Sequence, residues 1–127
     1  MEKSLYSILA IFPTPDIEKT AKYYNEVLGF KIVKFLDAQE AHVCLYRDDV
    51  EIVLTKANAE RIVPNRELYG YGEDAYFVAG NQEILQNEFI GKGAKIVRPL
   101  RVTDYGNLEF VLEDIDGRWL AFGMKQK

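Results

Sequence analysis

Apolar residues along this chain change their spacing in a repeating order. Residues 5–12 form a β-tolerant apolar run that stops at Pro13-Thr14-Pro15, which predicts a strand. Asp16 stands where an N-cap belongs. Behind it Ile17, Ala21, Tyr24, Val27 and Leu28 recur at the intervals of one helical face, and Gly29 closes that helix. Residues 30–36 read as the next strand, and residues 41–46 and 50–55 as a hairpin turned at Arg47-Asp48-Asp49. Residues 56–73 carry Pro64, Gly70 and Gly72 without a clear period, and long irregular stretches of this kind are often functional or cross between halves. Residues 75–79 return to a strand pattern. Asn81 then heads a second helix with Ile84, Leu85, Phe89 and Ile90 on one side, ended at Gly91 and Gly93. Residues 94–97, 108–113 and 118–124 complete the strands, the last two joined by Asp114-Ile115-Asp116-Gly117.

The order repeats. Gly29-Phe30-Lys31-Ile32-Val33-Lys34 answers Gly93-Ala94-Lys95-Ile96-Val97-Arg98, each after a capped helix and before a hairpin with an acidic turn. Each half is therefore β-α-β-β-β. The chain reads as a single α+β domain over residues 1–127. Its first module spans about 1–56, a crossover loop about 57–73, and the second module about 74–127. One helix covers one face of four strands and leaves the other bare. Two such modules side by side predict a curved mixed β-sheet with helices outside and a concave cleft inside.

Composition narrows the partners. The chain has 127 residues, 48% hydrophobic and 28% charged, within the range of ordinary soluble domains. Sixteen Lys and Arg against twenty Asp and Glu give a net charge of -4, which argues against nucleic acid as a partner. No apolar run is long enough for a membrane span, and the N-terminal stretch lacks the basic start and cleavage site of a leader. One cysteine forms no internal disulfide and fits a reducing cytoplasm. One histidine excludes any metal site that needs two histidines from one chain.

Two segments carry a resemblance. Asp16 to Phe30 (DIEKTAKYYNEVLGF) and Tyr105-Gly106-Asn107-Leu108-Glu109-Phe110 followed by Asp114-Ile115-Asp116-Gly117 resemble motifs of the glyoxalase/bleomycin-resistance/extradiol-dioxygenase superfamily, the vicinal oxygen chelate proteins. Ile115 stands where that family usually has proline. The resemblance covers nearly the whole chain. Arg47-Asp48-Asp49-Val50, Val63-Pro64-Asn65 and Leu120-Ala121-Phe122-Gly123 draw it toward the bleomycin-resistance branch. It implies a homodimer that sequesters a drug in clefts at the subunit interface, without chemistry.

Enzymes of that superfamily hold a divalent metal through His, Gln and Glu side chains on the first and last strands of each module. Carried over position by position, those ligands fall on Leu9, Val53, Asp74 and Ala121, of which only Asp74 has a ligating side chain. A lone carboxylate leaves a divalent ion mostly hydrated. The resemblance therefore implies no bound metal and no cofactor here. A reorganised carboxylate site built from Glu51, Glu109 and Glu113 is the alternative, and with it a metal-dependent lyase or dioxygenase.

Strand alternation sorts the remaining candidates. Leu120, Phe122 and Met124 should pack under a helix, which leaves Trp119, Ala121 and Gly123 on the concave side. Trp119 there either stacks on a planar or cationic ligand or fills a pocket or dimer contact. His42 shares a face with Cys44 and Tyr46, as a ligand contact or as a hydrogen-bonded structural residue. Tyr69, Tyr71 and Tyr105, interleaved with Glu73, Asp74 and Asp104, line a cleft for a cationic aromatic molecule or pack their own loops. Glu109 lies on the same pocket-side stripe as Val111 and Glu113. Three readings stand: a non-catalytic small-molecule binder of the resistance kind, the metal enzyme, and an accessory subunit whose cleft is filled by Trp119 and its neighbours.

Overall fold

The computed structural model describes residues 2–126. Strand β1 (Ala10–Thr14) leads into α1 (Ile17–Glu26), β2 (Lys31–Phe35), β3 (His42–Arg47) and β4 (Val50–Lys56). A short helix α2 (Asn65–Tyr69) crosses to β5 (Ala75–Val78), α3 (Gln82–Gly91), β6 (Lys95–Val102), β7 (Asn107–Glu113) and β8 (Trp119–Lys125). The two βαβββ modules are thus present. Each makes its own four-stranded mixed sheet, ordered β1-β4-β3-β2 and β5-β8-β7-β6, and no strand of one is hydrogen-bonded to the other. The outer edges of the single curved sheet expected from the pattern stay open. In each sheet the first and last strands of the module, β1 with β4 and β5 with β8, pair in parallel.

Local chemistry explains the helix starts. Asp16 Oδ1 accepts from the Lys19 backbone N–H at 3.1 Å, so the expected cap of α1 is made. Asn81 sits at the matching place before α3, but its backbone is left-handed (φ 50°) and its side chain makes no capping bond. Gly29, at φ 77°, ends the first helix in the conformation that favours glycine.

Most boundaries agree with the sequence pattern to within two residues, and the larger differences fall at the first strand, the sixth strand and the crossover. The first strand begins at Ala10 rather than Leu5, where its parallel pairing with β4 begins at Ala10↔Ile52. Pro13 is tolerated inside it because β1 is an edge strand. Strand β6 runs on through Pro99 to Val102. It too is an edge strand, and shifts in register between Ile96 and Arg101 accommodate the proline. Within the irregular stretch, Asn65–Tyr69 winds into a single helical turn and a half closed by Gly70 at φ 88°.

Both modules contribute to one core. Phe12, Tyr24, Leu28, Phe30, Val43, Leu45, Ile52 and Leu54 from the first pack in the same cluster as Phe77, Phe89, Phe110, Leu112, Leu120 and Phe122 from the second. Each large side chain buried there contributes about 1.5–3 kcal/mol. Polar ties cross the junction. The Tyr24 hydroxyl donates to Asp114 (2.5 Å) and the Thr20 hydroxyl to Asp116 (2.7 Å). Arg118 pairs with both aspartates at 3.2 and 3.0 Å, donates to the Pro13 carbonyl, and lies over the Phe12 ring. Burial pushes the Asp114 carboxyl up from its ordinary value, and the charge of Arg118 opposes that push. At the other end of the junction Arg47 makes a bidentate pair with Glu88 (2.8 and 3.0 Å) and donates to the Leu28 carbonyl.

Candidate functional site

Alternation leaves each sheet one face turned away from this core. On the second sheet that face is built from cross-strand rows: Tyr76, Ala121, Val111 and Arg98 in one, and Val78, Gly123, Glu109 and Arg101 in the next. Glu109 is 1% exposed although it carries a carboxylate. Its Oε1 accepts the Tyr76 hydroxyl at 3.0 Å and the Tyr105 hydroxyl at 2.8 Å. Asn107 steadies the arrangement by donating to the Tyr76 oxygen at 2.7 Å. Glu109 Oε2 is buried and has no hydrogen-bond partner among the described residues. Buried polar atoms are normally paired, so this one stands out.

Gly123 makes the arrangement possible. A Cβ at that position would collide with the Glu109 Cβ and the Leu108 carbonyl, and would lie 2.8 Å from the Tyr76 hydroxyl. The phenols respond to their carboxylate neighbour. Burial, and then the hydrogen bond to Glu109, push the Tyr105 hydroxyl up to about 12. Burial likewise raises Tyr76, with Glu109 adding to it.

The far end of the same face has the opposite character. Arg66, from α2, lies with its guanidinium 4.4 Å from the centre of the Trp119 ring, and Arg98 from β6 lies 5.2 Å from it. Glu113 binds this group together, accepting from Trp119 Nε1 (3.1 Å), Arg66 (3.3 Å) and Lys95 (3.2 Å). Burial alone would raise the Glu113 carboxyl, but these donors and cations hold it below its ordinary value. Trp119 is therefore already stacked on the chain's own cations rather than offering a bare ring. Arg98 and Arg101 form no ion pair among the described residues. The face thus carries a carboxylate end and a guanidinium end, with Ala121 and Val111 as the floor between them.

The structure distributes the other sequence candidates. Asp74 is consumed by the backbone: its Oδ1 accepts from the Asn65 N–H and its Oδ2 from the Trp119 N–H, both at 2.9 Å. His42 and Tyr46 lie on the first sheet's outer face, in the rows of Phe35 and Glu51. The His42 ring stacks on Phe35 with centroids 5.0 Å apart, and its Nδ1 lies 2.8 Å from the Glu40 carbonyl. Tyr69 and Tyr71 are exposed, at the end of α2 and in the loop after it. Tyr76, Asn107, Arg66 and Arg98 were not among the sequence candidates. Alternation along β5 marks Tyr76 as facing the same way as the bare face. Nothing in the sequence places Arg66 against Trp119, because that contact depends on how the crossover folds back.

The donors do not fit a divalent metal at the positions the enzymes use. Leu9, Val53 and Ala121 are hydrocarbon side chains, and both oxygens of Asp74 are taken. Among the described residues no group of three or more His, Cys, Asp or Glu side chains is placed to hold a metal ion. Among the described residues no helix is long and apolar enough to cross a membrane.

Paired βαβββ modules define a known class. The family model described as Glyoxalase/Bleomycin resistance protein/Dioxygenase superfamily matches residues 8–122, and the chain belongs to that superfamily. No curated protein sequence matches it. Solved structures share the fold at low identity. TioX from Micromonospora sp. ML1 is 15% identical with a TM-score of 0.74, covering 95% of this chain and 99% of that one. TnmS3, an antibiotic binding protein from Streptomyces sp. CB03234, is 13% identical with a TM-score of 0.73, covering 98% and 100%. A superfamily member from Sphaerobacter thermophilus is 16% identical with a TM-score of 0.73, covering 94% and 97%.

Proposed function

We propose that the chain is a non-catalytic binding protein for a small organic molecule, received on the outer face of the second sheet. The observation that carries this reading is Glu109, a fully buried carboxylate with one oxygen unpartnered and the other held by two tyrosines. Such a group costs stability unless something donates to it. A ligand N–H or O–H, reaching it when the half-exposed Tyr105 ring moves aside on the Tyr105-Gly106 turn, satisfies Oε2. Arg98 and Arg101 lie nearby to meet an acceptor or ring of the same molecule. Superfamily membership and the likeness to an antibiotic binding protein support sequestration of a drug as the role, and the tyrosines around the Glu109 carboxylate support a ring-bearing ligand whose cationic group is received at that end of the face.

The working form in this reading is a homodimer in the cytoplasm. Leu5, Tyr6 and Ile8 are more than 80% exposed, and Ile11 and Val78 also present apolar surface. A second copy covering these residues closes a cleft over the face. Lone Cys44 suits a reducing compartment.

Calorimetric titration with bleomycin and a panel of planar cationic drugs tests the reading. Binding is expected, with Glu109→Gln weakening it about tenfold or more through loss of a charge-assisted hydrogen bond. Absence of binding by every compound, or unchanged affinity in Glu109→Gln, overturns it. A stoichiometric divalent metal retained through dialysis overturns the non-catalytic part.

A further inference from the structure

The internal repeat supplies a comparison that one chain makes with itself. Counting from the helix starts, Phe12 corresponds to Phe77, Thr20 to Leu85 and Tyr24 to Phe89. Each module's hairpin turn packs on the other module's helix, so there are two equivalent junctions. They are closed to different degrees.

At the first, the β7–β8 turn reaches α1 and seals it. The Arg118 guanidinium lies 4.6 Å from the centre of the Phe12 ring, and Asp114 and Asp116 neutralise it while accepting from Tyr24 and Thr20. At the second, the β3–β4 turn is only Asp48-Asp49, too short to fill the space. Its helix carries Phe89 and Leu85, which have no hydroxyl to offer. Arg47 pairs with Glu88, donates to the Leu28 carbonyl and lies with its guanidinium 5.7 Å from the centre of the Phe89 ring, at the side of the space. A cavity of about 430 Å³ remains between the turn, the end of β5 and α3.

The floor of that cavity is aromatic and fixed. Phe77 stacks on Phe122 (4.5 Å, 10° between planes), and Phe89 meets Phe122 edge-on at 5.2 Å. Asp48, Asp49 and Glu88 stand among its lining residues, with Val78 and Ile84 exposed beside them. Glu88 is already occupied by Arg47 and Lys92, whereas Asp48 has only a distant contact to Arg47 at 3.9 Å. The open junction thus keeps the carboxylates and the phenylalanine ring of the closed one, but its own cation, Arg47, lies over Phe89, and among the described residues no cation lies over Phe77, the counterpart of Phe12.

We propose that this cavity is a second binding site, separate from the face around Glu109, for a small planar organic cation that takes the place Arg118 fills at the equivalent junction. An amidinium or guanidinium carried on an aromatic ring matches both requirements: its flat face lies on Phe77, and its N–H groups point to the turn carboxylates. The volume is in the range of ligand pockets.

Benzamidinium and its neutral isostere benzamide are the probes, titrated against the full chain while backbone amide shifts are followed by NMR. Saturable shifts at Val50, Val78, Gly80 and Asn81 are expected with benzamidinium and not with benzamide. The double substitution Asp48→Asn with Asp49→Asn, at exposed positions where asparagine accepts the left-handed backbone of residue 48, should weaken binding about threefold to tenfold. Ala79→Leu, which fills the cavity, should abolish it. Equal response to benzamide, shifts confined to the Trp119–Gly123 face, or undiminished binding in the double variant overturns the proposal. So do concentration-dependent shifts at Gly80 and Asn81 without probe, away from the strip the proposed dimer covers, which place a second copy of the chain in the cavity.

Discussion

Gly123 and Tyr105 show how single residues set the face around Glu109. Gly123 has ordinary strand geometry, so its need is spatial: the Tyr76 hydroxyl and the Glu109 side chain occupy the room a methyl group would take. Gly123→Ala is expected to lower stability by about 1–3 kcal/mol, as overpacking does, measured by urea denaturation. Tyr105 should titrate late. Its hydroxyl is pushed up to about 12 by burial and by Glu109, and a phenol raised in the folded state favours folding below its unfolded pKa and loses that contribution as pH rises through the folded value. Ultraviolet titration of wild type against Tyr105→Phe should show one late-titrating phenol removed. In Glu109→Gln the same phenol should titrate earlier. The sequence motif marked both Tyr105 and Glu109 but not the bond between them, since a four-residue separation across a turn does not fix where a hydroxyl points.

At the scale of elements, the two hairpin turns have different duties. The β7–β8 turn is locked by a buried ion pair, Arg118 and Asp114 being 3% and 0% exposed in their side chains. Arg118→Met leaves Asp114 uncompensated, and a loss of about 3–5 kcal/mol is expected from chemical denaturation. The β3–β4 turn is tied by Arg47 and Glu88 at a half-open surface. Hydrogen bonding from Arg47 is the main cause holding the Glu88 carboxyl below its ordinary 4.5. A lowered folded pKa contributes stability that is complete above the unfolded value and is lost as pH falls through the folded one. Melting curves between pH 7 and pH 3 should therefore show a stability loss that is smaller in Arg47→Met. Helix α1 was legible down to its cap, because Asp16, the apolar spacing and Gly29 agree. Strand β6 was not, because Pro99 reads as a stop and only an edge position with shifted register lets the strand pass it.

For the whole molecule, the proposed dimer is the first quantity to measure. Sedimentation should report two chains per particle, and Ile11→Glu, which puts a charge in the exposed apolar strip, should shift it toward one. The repeat, the α+β class and the two βαβββ modules follow from sequence alone, because spacing of apolar residues records which face of each local element is buried. So does the lack of ligating side chains at Leu9, Val53 and Ala121, since hydrocarbon has no lone pair wherever it is placed. What only the tertiary structure decided is how the chain uses its polar groups. Asp74, the one ligating residue at those positions, spends both oxygens on backbone N–H groups brought to it from residues 65 and 119. Trp119 meets arginines from α2 and β6, and Glu109 is left with a buried oxygen unpaired. These outcomes depend on contacts between residues far apart in sequence. Such contacts leave no periodic trace in the chain.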